Sequence, residues 1–583
     1  MGSLPPPGLL LILGALWIPF LRGRWRRAYL LLLPCASFVV LHQQVIAQGI
    51  GFTAHLTLFD YELTPVRVDR LSFLFAGLFH LALFLGTLYA LHVDDAVQHV
   101  AAFGYAGSAI GAACAGDFVT LFVYWELVAF TSTFLIWARR SERAYAAGQR
   151  YLVYQVVSGV LLLAGVLWRV RAGGSLLFDE VGLPAYEGLA ALPGQVAADP
   201  GAWLILLAVG IKCAFPGLHT WLTDAYPEAT PTGTVFLSAF TTKLAVYVLI
   251  RAFPGAEVLV GIGAVMILFP IFYAVIENDL RRVLAYSMVN QIGFMVIGVG
   301  VGGALALDGA AAHAVADVLF KGLLFMCMGA VLHRTGTARA SDLGGLWKSM
   351  PYTTALCLVG AAAISAFPLF SAFATKSMIV SAVAEEGRVA VWFAMVFASA
   401  GVLHHAGIKI PYCAFFAHDA GLRPREAPWN MRWAMSLAAL LCVGIGCFPE
   451  LLYGLLPAGV SYVPYTASHV VTQLQLLVFA VLAFVVLTRT GFHPDEVPGT
   501  NLDVDWLWRR LVARTLWHGV GDRVALVLRG AEALCLSLIP HMVRALLEPP
   551  AERGPLHRQM ILGSSLAVML LMLVFFLWRG LVG

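Results

Sequence analysis

The chain has 583 residues, 60% of them hydrophobic and 12% charged, and its mean hydropathy is +0.83. That composition excludes a soluble globular protein and specifies a polytopic membrane protein. A formal charge of +4 is too small over this length for a nucleic-acid-binding surface, and the basic residues fall in short loops instead.

A membrane span needs about 20 apolar residues. In chain order this ruler predicts helices near 6–21, 28–48, 70–91, 98–114, 117–137, 151–170, 201–219, 231–253, 256–276, 283–303, 309–333, 351–383, 390–413, 431–456, 468–488 and 560–581, about sixteen spans in all. The first has its arginines after the apolar run and no convincing small-residue cleavage site, so it is expected to be an uncleaved span. Orientation follows from the loops. Arg22, Arg24, Arg26 and Arg27 place the loop after the first span in the cytoplasm and the N-terminus outside. Alternation then puts Arg139, Arg140, Arg143 and Arg150 inside, followed by Arg281 and Arg282, by Arg334, Arg339 and Lys348, and by Arg423 and Arg425. The intervening loops are poor in basic residues; the 172–200 loop carries Asp179, Glu180, Glu187 and Asp199. Residues 489–559 mix Arg with Trp and Leu at helical spacing and read as an amphipathic cytoplasmic segment, interfacial rather than spanning. The last span then returns the C-terminus to the outside.

Two spans are interrupted. Phe215-Pro216-Gly217 follows Lys212 directly, and Pro368 breaks the run that bears Lys376. Proline removes a backbone hydrogen bond that lipid cannot replace, so such backbone belongs beside a cavity or packed protein. A pair of broken helices points to an inverted-repeat transporter with its site at the repeat interface.

The candidate residues are ionisable groups inside apolar helices. A cation there costs about 2.5–3.5 kcal/mol on insertion scales, so it faces protein or a wet interior. Lys212 and Lys243 meet this description in consecutive spans, and Glu126 lies mid-span in FVYWELVAFTSTFLI. Paired with Lys212, Glu126 would hold that lysine charged, and separating the two would release a proton; the alternative is a carboxylate satisfied by a neighbouring hydroxyl or backbone group. His313, Asp317 and Lys321 recur at intervals of four and share one helix face, as a wet seam or, for the last two, a structural pair. Lys376 either joins the pathway or snorkels to the surface. His404, His405 and Lys409 are weaker candidates, because adjacent histidines point about 100° apart, which suits chelation poorly; no metal site is expected. The nine cysteines are scattered without CxxC and read as inert thiols. The glycines of GVGVGG, 298–303, follow no strand, so helix packing or a helix end is expected rather than a nucleotide loop. No cofactor motif appears, and the energy source is expected to be an ion gradient or a partner's work.

The segments HTWLTDAYPEATPTGTVFLSAFTTK, ENDLRRVLAYSMVNQIGFM, VADVLFKGLLFM and VYWELV resemble the proton-conducting membrane subunits shared by respiratory complex I and the Mrp-type sodium/proton antiporters, over roughly residues 65–415. The resemblance implies an all-α membrane fold with fourteen core helices, two inverted five-helix repeats each with a broken helix, and a polar axis at the membrane midplane. It divides the chain into N-terminal helices (1–97), a first antiporter-like repeat (98–253), a second (256–413), C-terminal core helices (414–488), the amphipathic segment (489–559) and a final span (560–583). It assigns Glu126 as the modulating carboxylate, Lys212 as the first-half pump lysine, Lys243 as the connecting lysine, Lys321 as the central relay and Lys376 as the exit-side lysine. Two positions depart from the family. Asp317 stands where histidine is common and would pair with Lys321 or offer an oxygen to sodium. Arg281 follows Asn278-Asp279 where lysine is common, and since arginine does not readily surrender its proton it reads as structural or as an electrostatic clamp. The C-terminal part looks more like the D-type subunits of Mrp antiporters. The expected function is therefore proton translocation in a multisubunit antiporter of a bacterial inner membrane, with other membrane subunits as partners and protons and possibly sodium as the ions. The alternatives are a proton channel in a complex I-like or hydrogenase-type redox complex or in an inorganic carbon uptake complex, and a non-conducting scaffold. The chain is expected to be a transporter subunit rather than a catalytic one, although in a redox complex it would form part of a proton-translocating NADH-quinone oxidoreductase.

Overall fold

A computed structural model describes residues 6–58, 61–179, 181–183, 188, 190–491, 497–499 and 501–512. In chain order the helices are α1 (Pro7–Ala15), α2 (Gly23–Gln48), α3 (Arg70–Ala90), α4 (Ala96–Ala113), α5 (Phe118–Trp137), α6 (Glu142–Arg171), α7 (Leu192–Ala198), α8 (Pro200–Lys212), α9 (Thr220–Ala225), α10 (Gly233–Ala239) and α11 (Thr241–Ala252). They continue as α12 (Val258–Ile276), α13 (Leu280–Val301), α14 (Ala304–Thr335), α15 (Pro351–Ile364), α16 (Ser371–Glu385), α17 (Val389–Val402), α18 (Trp429–Cys447), α19 (Glu450–Tyr453) and α20 (Ala467–Arg489). Among the described residues, 11 helices are long and apolar enough to cross a membrane, and the apolar helices Gly8–Phe20 and Pro351–Ile364 are shorter. The chain is a multi-pass helical membrane protein. Most of the expected amphipathic segment and all of the last expected span lie outside the described residues. In the separate unit that begins at Leu502, a π-helical turn covers Leu507–Val512.

Local sequence explains where many spans begin. The side chains of Asp69, Asp95, Asp117, Ser141, Asp199, Asp279 and Thr466 each accept a backbone N–H from the first turn that follows them. Such caps satisfy donors that a helix end leaves free. A β-hairpin not expected from the sequence, β1 (Phe52–Leu58) and β2 (Tyr61–Val68), joins α2 to α3. It is tied to the ends of α4 and α5, because Arg67 N–H donates to Cys114 O at 2.6 Å and Thr64 N–H to Asp117 Oδ2 at 2.8 Å.

The core spans α13 and α14 are almost wholly buried. Helix α12 approaches α13 closely: a Cβ on Gly300 would meet Val260 N at 2.7 Å, and one on Gly263 would meet Gly293 O at 2.9 Å. Gly302 ends α13 in the left-handed region, φ 76°. The run 298–303 thus serves helix packing and a helix end.

Both interrupted spans stop by one device. At the end of α8, Phe215 N–H donates to Gly210 O at 2.9 Å and Ala214 N–H to Ile211 O at 3.1 Å, with Ala214 at φ 59°. At the end of α15, Phe367 N–H donates to Ala362 O at 3.1 Å and Ala366 N–H to Ala363 O at 3.3 Å, with Ala366 at φ 56°. This is the Schellman pattern, in which a left-handed residue after the helix satisfies its last carbonyls. The tripeptide Ala-Phe-Pro carries it at 214–216 and again at 366–368. The proline that follows cannot continue the helix.

Three predicted spans are divided or shortened. The span 201–219 is helical only to Lys212, 351–383 divides into α15 and α16, and 231–253 divides at Phe240, φ −105° and ψ −66°. No proline or glycine marks the last break. Instead, the Tyr105 hydroxyl from α4 enters it, accepting Thr241 N–H at 3.0 Å and lying 2.6 Å from Thr241 Oγ1. A side chain inserted into the backbone ladder is a recognised cause of such a break. The span 390–413 also changes character, passing from α17 into π-helical turns at Leu403–Lys409 and Tyr412–Phe416.

Candidate functional site

The breaks and the packed α13–α14 pair bring a row of ionisable groups into the interior. Lys212, Lys243, His313, Asp317 and Lys321 are 0% exposed and Lys376 is 3% exposed. Lys376 therefore does not snorkel to the surface.

Lys212 is the last residue of α8, and its side chain is held by α5. Its Nζ donates to Trp125 O at 2.7 Å and lies 4.2 Å from the centroid of the Trp125 ring. The ring is itself fixed, because Trp125 Nε1–H donates to Ser158 Oγ at 3.0 Å and Ser158 Oγ–H donates to Ala208 O at 2.6 Å. Glu126 is adjacent and acts on Lys212 electrostatically, but the two form no direct ion pair. Among the described residues its Oε1 is buried without a hydrogen-bond partner, and it fits against Gly159 of α6, where a Cβ would stand 1.4 Å from it. The expected direct Glu126–Lys212 contact is thus replaced by a charge held close and apart. Lys212 meets the carbonyl and ring of Trp125 instead.

Lys243 lies just after the break at Phe240. Its Nζ donates to Ser238 O at 3.0 Å and forms an ion pair with Asp317 Oδ2 at 2.6 Å, while neither carboxylate oxygen of Asp317 has a hydrogen bond of good geometry among the described residues. Asp317 therefore pairs across helices with Lys243 rather than along its own helix with Lys321. Lys321 turns to α13, donating to Ser287 Oγ at 2.5 Å and approaching Leu284 O at 3.5 Å. An ammonium at 2.6 Å occupies the place a sodium ion would need, so in this arrangement Asp317 is an ion-pair partner. No group of three His, Cys, Asp or Glu side chains able to hold a metal occurs among the described residues.

His313 sits at the junction of α13, α14 and α16, and its hydrogen-bond chain has a fixed direction. Ile267 O can only accept, so Asn290 Nδ2 donates to it; Gln291 Nε2 donates to Asn290 Oδ1 at 2.8 Å, and Gln291 Oε1 lies 3.1 Å from His313 Nε2. Nε2 must then carry a hydrogen. On the other side Nδ1 lies 3.1 Å from Thr375 Oγ1, whose hydroxyl reaches Ser371 O at 3.2 Å. With that hydroxyl on Ser371, Thr375 accepts from a protonated Nδ1; rotated, it donates to a neutral one. One hydroxyl rotation accommodates both charge states of the ring.

Lys376 Nζ has no hydrogen-bond partner among the described residues, lies 4.7 Å from the centroid of the Phe294 ring, and lines a cavity of about 380 Å³ between α16, α17 and α20. Ser377, Ser381, Tyr462, Thr466 and Gln473 share that lining. A second cavity, of about 480 Å³, lies beside the loop before α13 and is lined by Arg143, Arg150, Arg282 and Arg339 together with Asp224, Glu228, Glu277 and Asp279.

The remaining candidates divide. Lys409 Nζ donates to Val275 O at 2.6 Å, Glu277 O at 2.7 Å and Ala274 O at 3.3 Å, closing the C-terminal end of α12 as a cation does best. His404 faces Phe484 of α20, ring centroids 5.3 Å apart. Arg281 is 1% exposed and donates to Pro227 O, Tyr226 O, Ala229 O, Thr230 O and Thr234 Oγ1, so it is the clamp of the 226–234 loop. Sequence reasoning missed Ser287, Asn290, Gln291 and Thr375. The adjacent amides of SMVNQIGFM, inside an otherwise apolar helix, were the available signal.

Residues 115–401 match the family described as NADH:quinone oxidoreductase/Mrp antiporter, TM. The chain is 28% identical over 494 residues to the A-type Na(+)/H(+) antiporter subunit of Alkalihalophilus pseudofirmus, covering 75% of this chain and 60% of that one. It is 27% identical over 530 residues to hydrogenase-4 component B of Escherichia coli, covering 80% and 74%. Against the N-type NADH-quinone oxidoreductase subunit of Desulforudis audaxviator it is 33% identical over 293 residues, covering 48% and 57%. In fold it is similar to a chain of the Mrp complex from Dietzia, with TM-score 0.69 and 21% identity over 81% of this chain and 99% of that one. It is likewise similar to a chain of the membrane-bound sulfane sulfur reductase, an archaeal respiratory membrane complex, with TM-score 0.70 and 22% identity over 98% and 100%.

Proposed function

Since this chain belongs, through residues 115–401, to the NADH:quinone oxidoreductase/Mrp antiporter transmembrane family, we propose that it is the proton-translocating membrane subunit of a multisubunit monovalent cation/proton antiporter in a bacterial inner membrane. The observation that carries this reading is the series Lys212, Lys243 with Asp317, Lys321, His313 and Lys376, each an ionisable group buried in the protein. Groups of this kind mark proton relays. Protons enter by the 480 Å³ cavity, which is lined by four arginines of the loops assigned to the inside. They leave by the cavity of Lys376, whose walls include Tyr462, Val463 and Thr466 of the loop before 468–488, which alternation of the spans puts outside. Between them Glu126 modulates Lys212. Opening of the Lys243–Asp317 pair frees a carboxylate and an ammonium together and passes the charge to Lys321. His313 then connects this centre to α16, because its Thr375 partner lies one residue from Lys376.

The test is cation-driven proton flux in proteoliposomes holding the assembled complex. Lys212→Ala is expected to abolish flux with assembly intact; a wild-type rate in an assembled complex refutes the assignment. A second reading, the proton channel of a hydrogenase-type or other redox complex, is supported by the likeness to hydrogenase-4 component B, 27% identical over 80% of this chain and 74% of that one. Copurification separates the two: small antiporter subunits support the first, redox subunits the second.

A further inference from the structure

His405 has no place in the series above, yet it is 0% exposed and neither ring nitrogen has a hydrogen bond of good geometry among the described residues. A poorly aligned approach to Gly401 O is what the backbone offers it. A buried polar atom left without a partner costs about 1–3 kcal/mol. The backbone around it is also irregular, since Leu403–Lys409 is π-helical, and π turns inside α-helices recur at functional sites. In this turn a Cβ on Gly407 would meet Ser365 Oγ at 2.3 Å, which seats the turn directly against the second helix break.

The surroundings of His405 give it a direction. Lys321 of α14 acts on it electrostatically, as do His404 and Lys409 of its own segment. Lys409 lies four residues on, on nearly the same side of the helix, and its Nζ is bound to Glu277 O. Glu277 lines the 480 Å³ cavity. Along α13, Lys321 is anchored at Leu284 and Ser287, five and eight residues from the Asp279 that also lines this cavity. At 1.5 Å per residue that is about 7.5–12 Å, more than one hydrogen-bonded step.

We infer that His405 is a relay residue that connects the 480 Å³ cavity to Lys321, giving the second half of the protein its own proton connection to the same side as the first. The imidazole takes a proton on one nitrogen from the cavity side and releases one from the other toward Lys321, so no net change in its charge is needed over a cycle. The inference rests on the proton-translocating reading proposed above.

The test uses the assembled complex in proteoliposomes, comparing His405→Gln, His405→Phe and Lys212→Ala for flux as a function of pH on the cavity side. Glutamine keeps hydrogen-bonding capacity and loses titration; phenylalanine keeps volume and loses both. A relay predicts that both variants assemble, lose at least tenfold in flux, and lose the limb of the cavity-side pH profile that the wild type shows. A wild-type rate and profile in either variant overturns the inference, because His405 would then serve only packing or hydrogen bonding. Failure of both to assemble also overturns it, by placing the contribution of His405 in stability. If Lys212→Ala keeps the wild-type rate as well, the broader reading has failed; if Lys212→Ala is inactive and His405→Phe is not, only this inference has.

Discussion

The Lys243–Asp317 pair offers the sharpest test of how charge is held in the interior. Both side chains are 0% exposed, Nζ and Oδ2 are 2.6 Å apart, and Lys243 donates besides only to a neutral carbonyl, Ser238 O, among the described residues. Asp317→Asn leaves the ammonium buried without its counter-charge, which costs about 3–5 kcal/mol for a buried pair broken from one side. Lys243→Met leaves the carboxylate stranded, since the ion pair with Lys243 is what compensates it and neither oxygen has a well-aligned hydrogen bond among the described residues, and is expected to cost a similar amount. The double variant Lys243→Met/Asp317→Asn removes both charges and is expected to recover most of the loss, because a buried pair replaced as a whole is close to neutral. The coupling in the cycle is then about 3 kcal/mol or more, beyond the roughly 0.5 kcal/mol within which independent sites add. The assay is thermal unfolding of the purified complex in detergent, followed by proton flux in proteoliposomes. All three variants are expected to lose flux, the double variant while stable. Additive losses, with the double variant the least stable of the three, would refute the reasoning.

Gly159→Ala places a methyl group where Glu126 Oε1 now sits, so it is expected to displace the carboxylate and lower flux about as much as Glu126→Gln, with the melting temperature changed little; unchanged flux would show that the position of Glu126 is unimportant. Arg281→Lys exchanges a fork that reaches five acceptors for a three-donor ammonium, and is expected to cost about 2–3 kcal/mol in thermal stability. Asp69, which caps α3 at the membrane edge, is subject to burial that raises its pKa, but the Arg251 hydrogen bonds and charge, with those of Ser72, overcome this and hold the carboxyl at about 2. Because the folded value lies below the ordinary 3.8, this contact contributes its full stability, about 2 kcal/mol, above pH ~4 and loses it as pH falls toward ~2. Hydrogen exchange around Ser72 is expected to rise over that window in the wild type, and Arg251→Leu to move the rise upward.

The lysines and the carboxylates were legible in the sequence because hydrocarbon is an unforgiving solvent: each charge inside an apolar run must answer to something, so Lys212, Lys243, Lys321 and Lys376 are marked as groups that face protein or water rather than lipid. The prolines at 216 and 368 announced two of the breaks for the same reason, the loss of a backbone hydrogen bond that lipid cannot supply. The hairpin at 52–68 and the break at Phe240 had no such marker. The first lies in a loop, where the membrane imposes no pattern. The second is made by the Tyr105 hydroxyl of another helix, which leaves no trace in the local sequence. Pairing was settled only in three dimensions. Spacing of four on one helix favoured Asp317 with Lys321, but the rotation of α11 against α14 set Lys243 at 2.6 Å from Asp317 and sent Lys321 to Ser287. The same is true of Glu126, held near Lys212 but apart from it by the packing of Trp125 and Gly159. The sequence alone determined which groups must be buried together, since burial of charge is a matter of solvation; the tertiary structure decided which of them touch, since contact depends on the relative rotation and depth of helices that no single helix encodes.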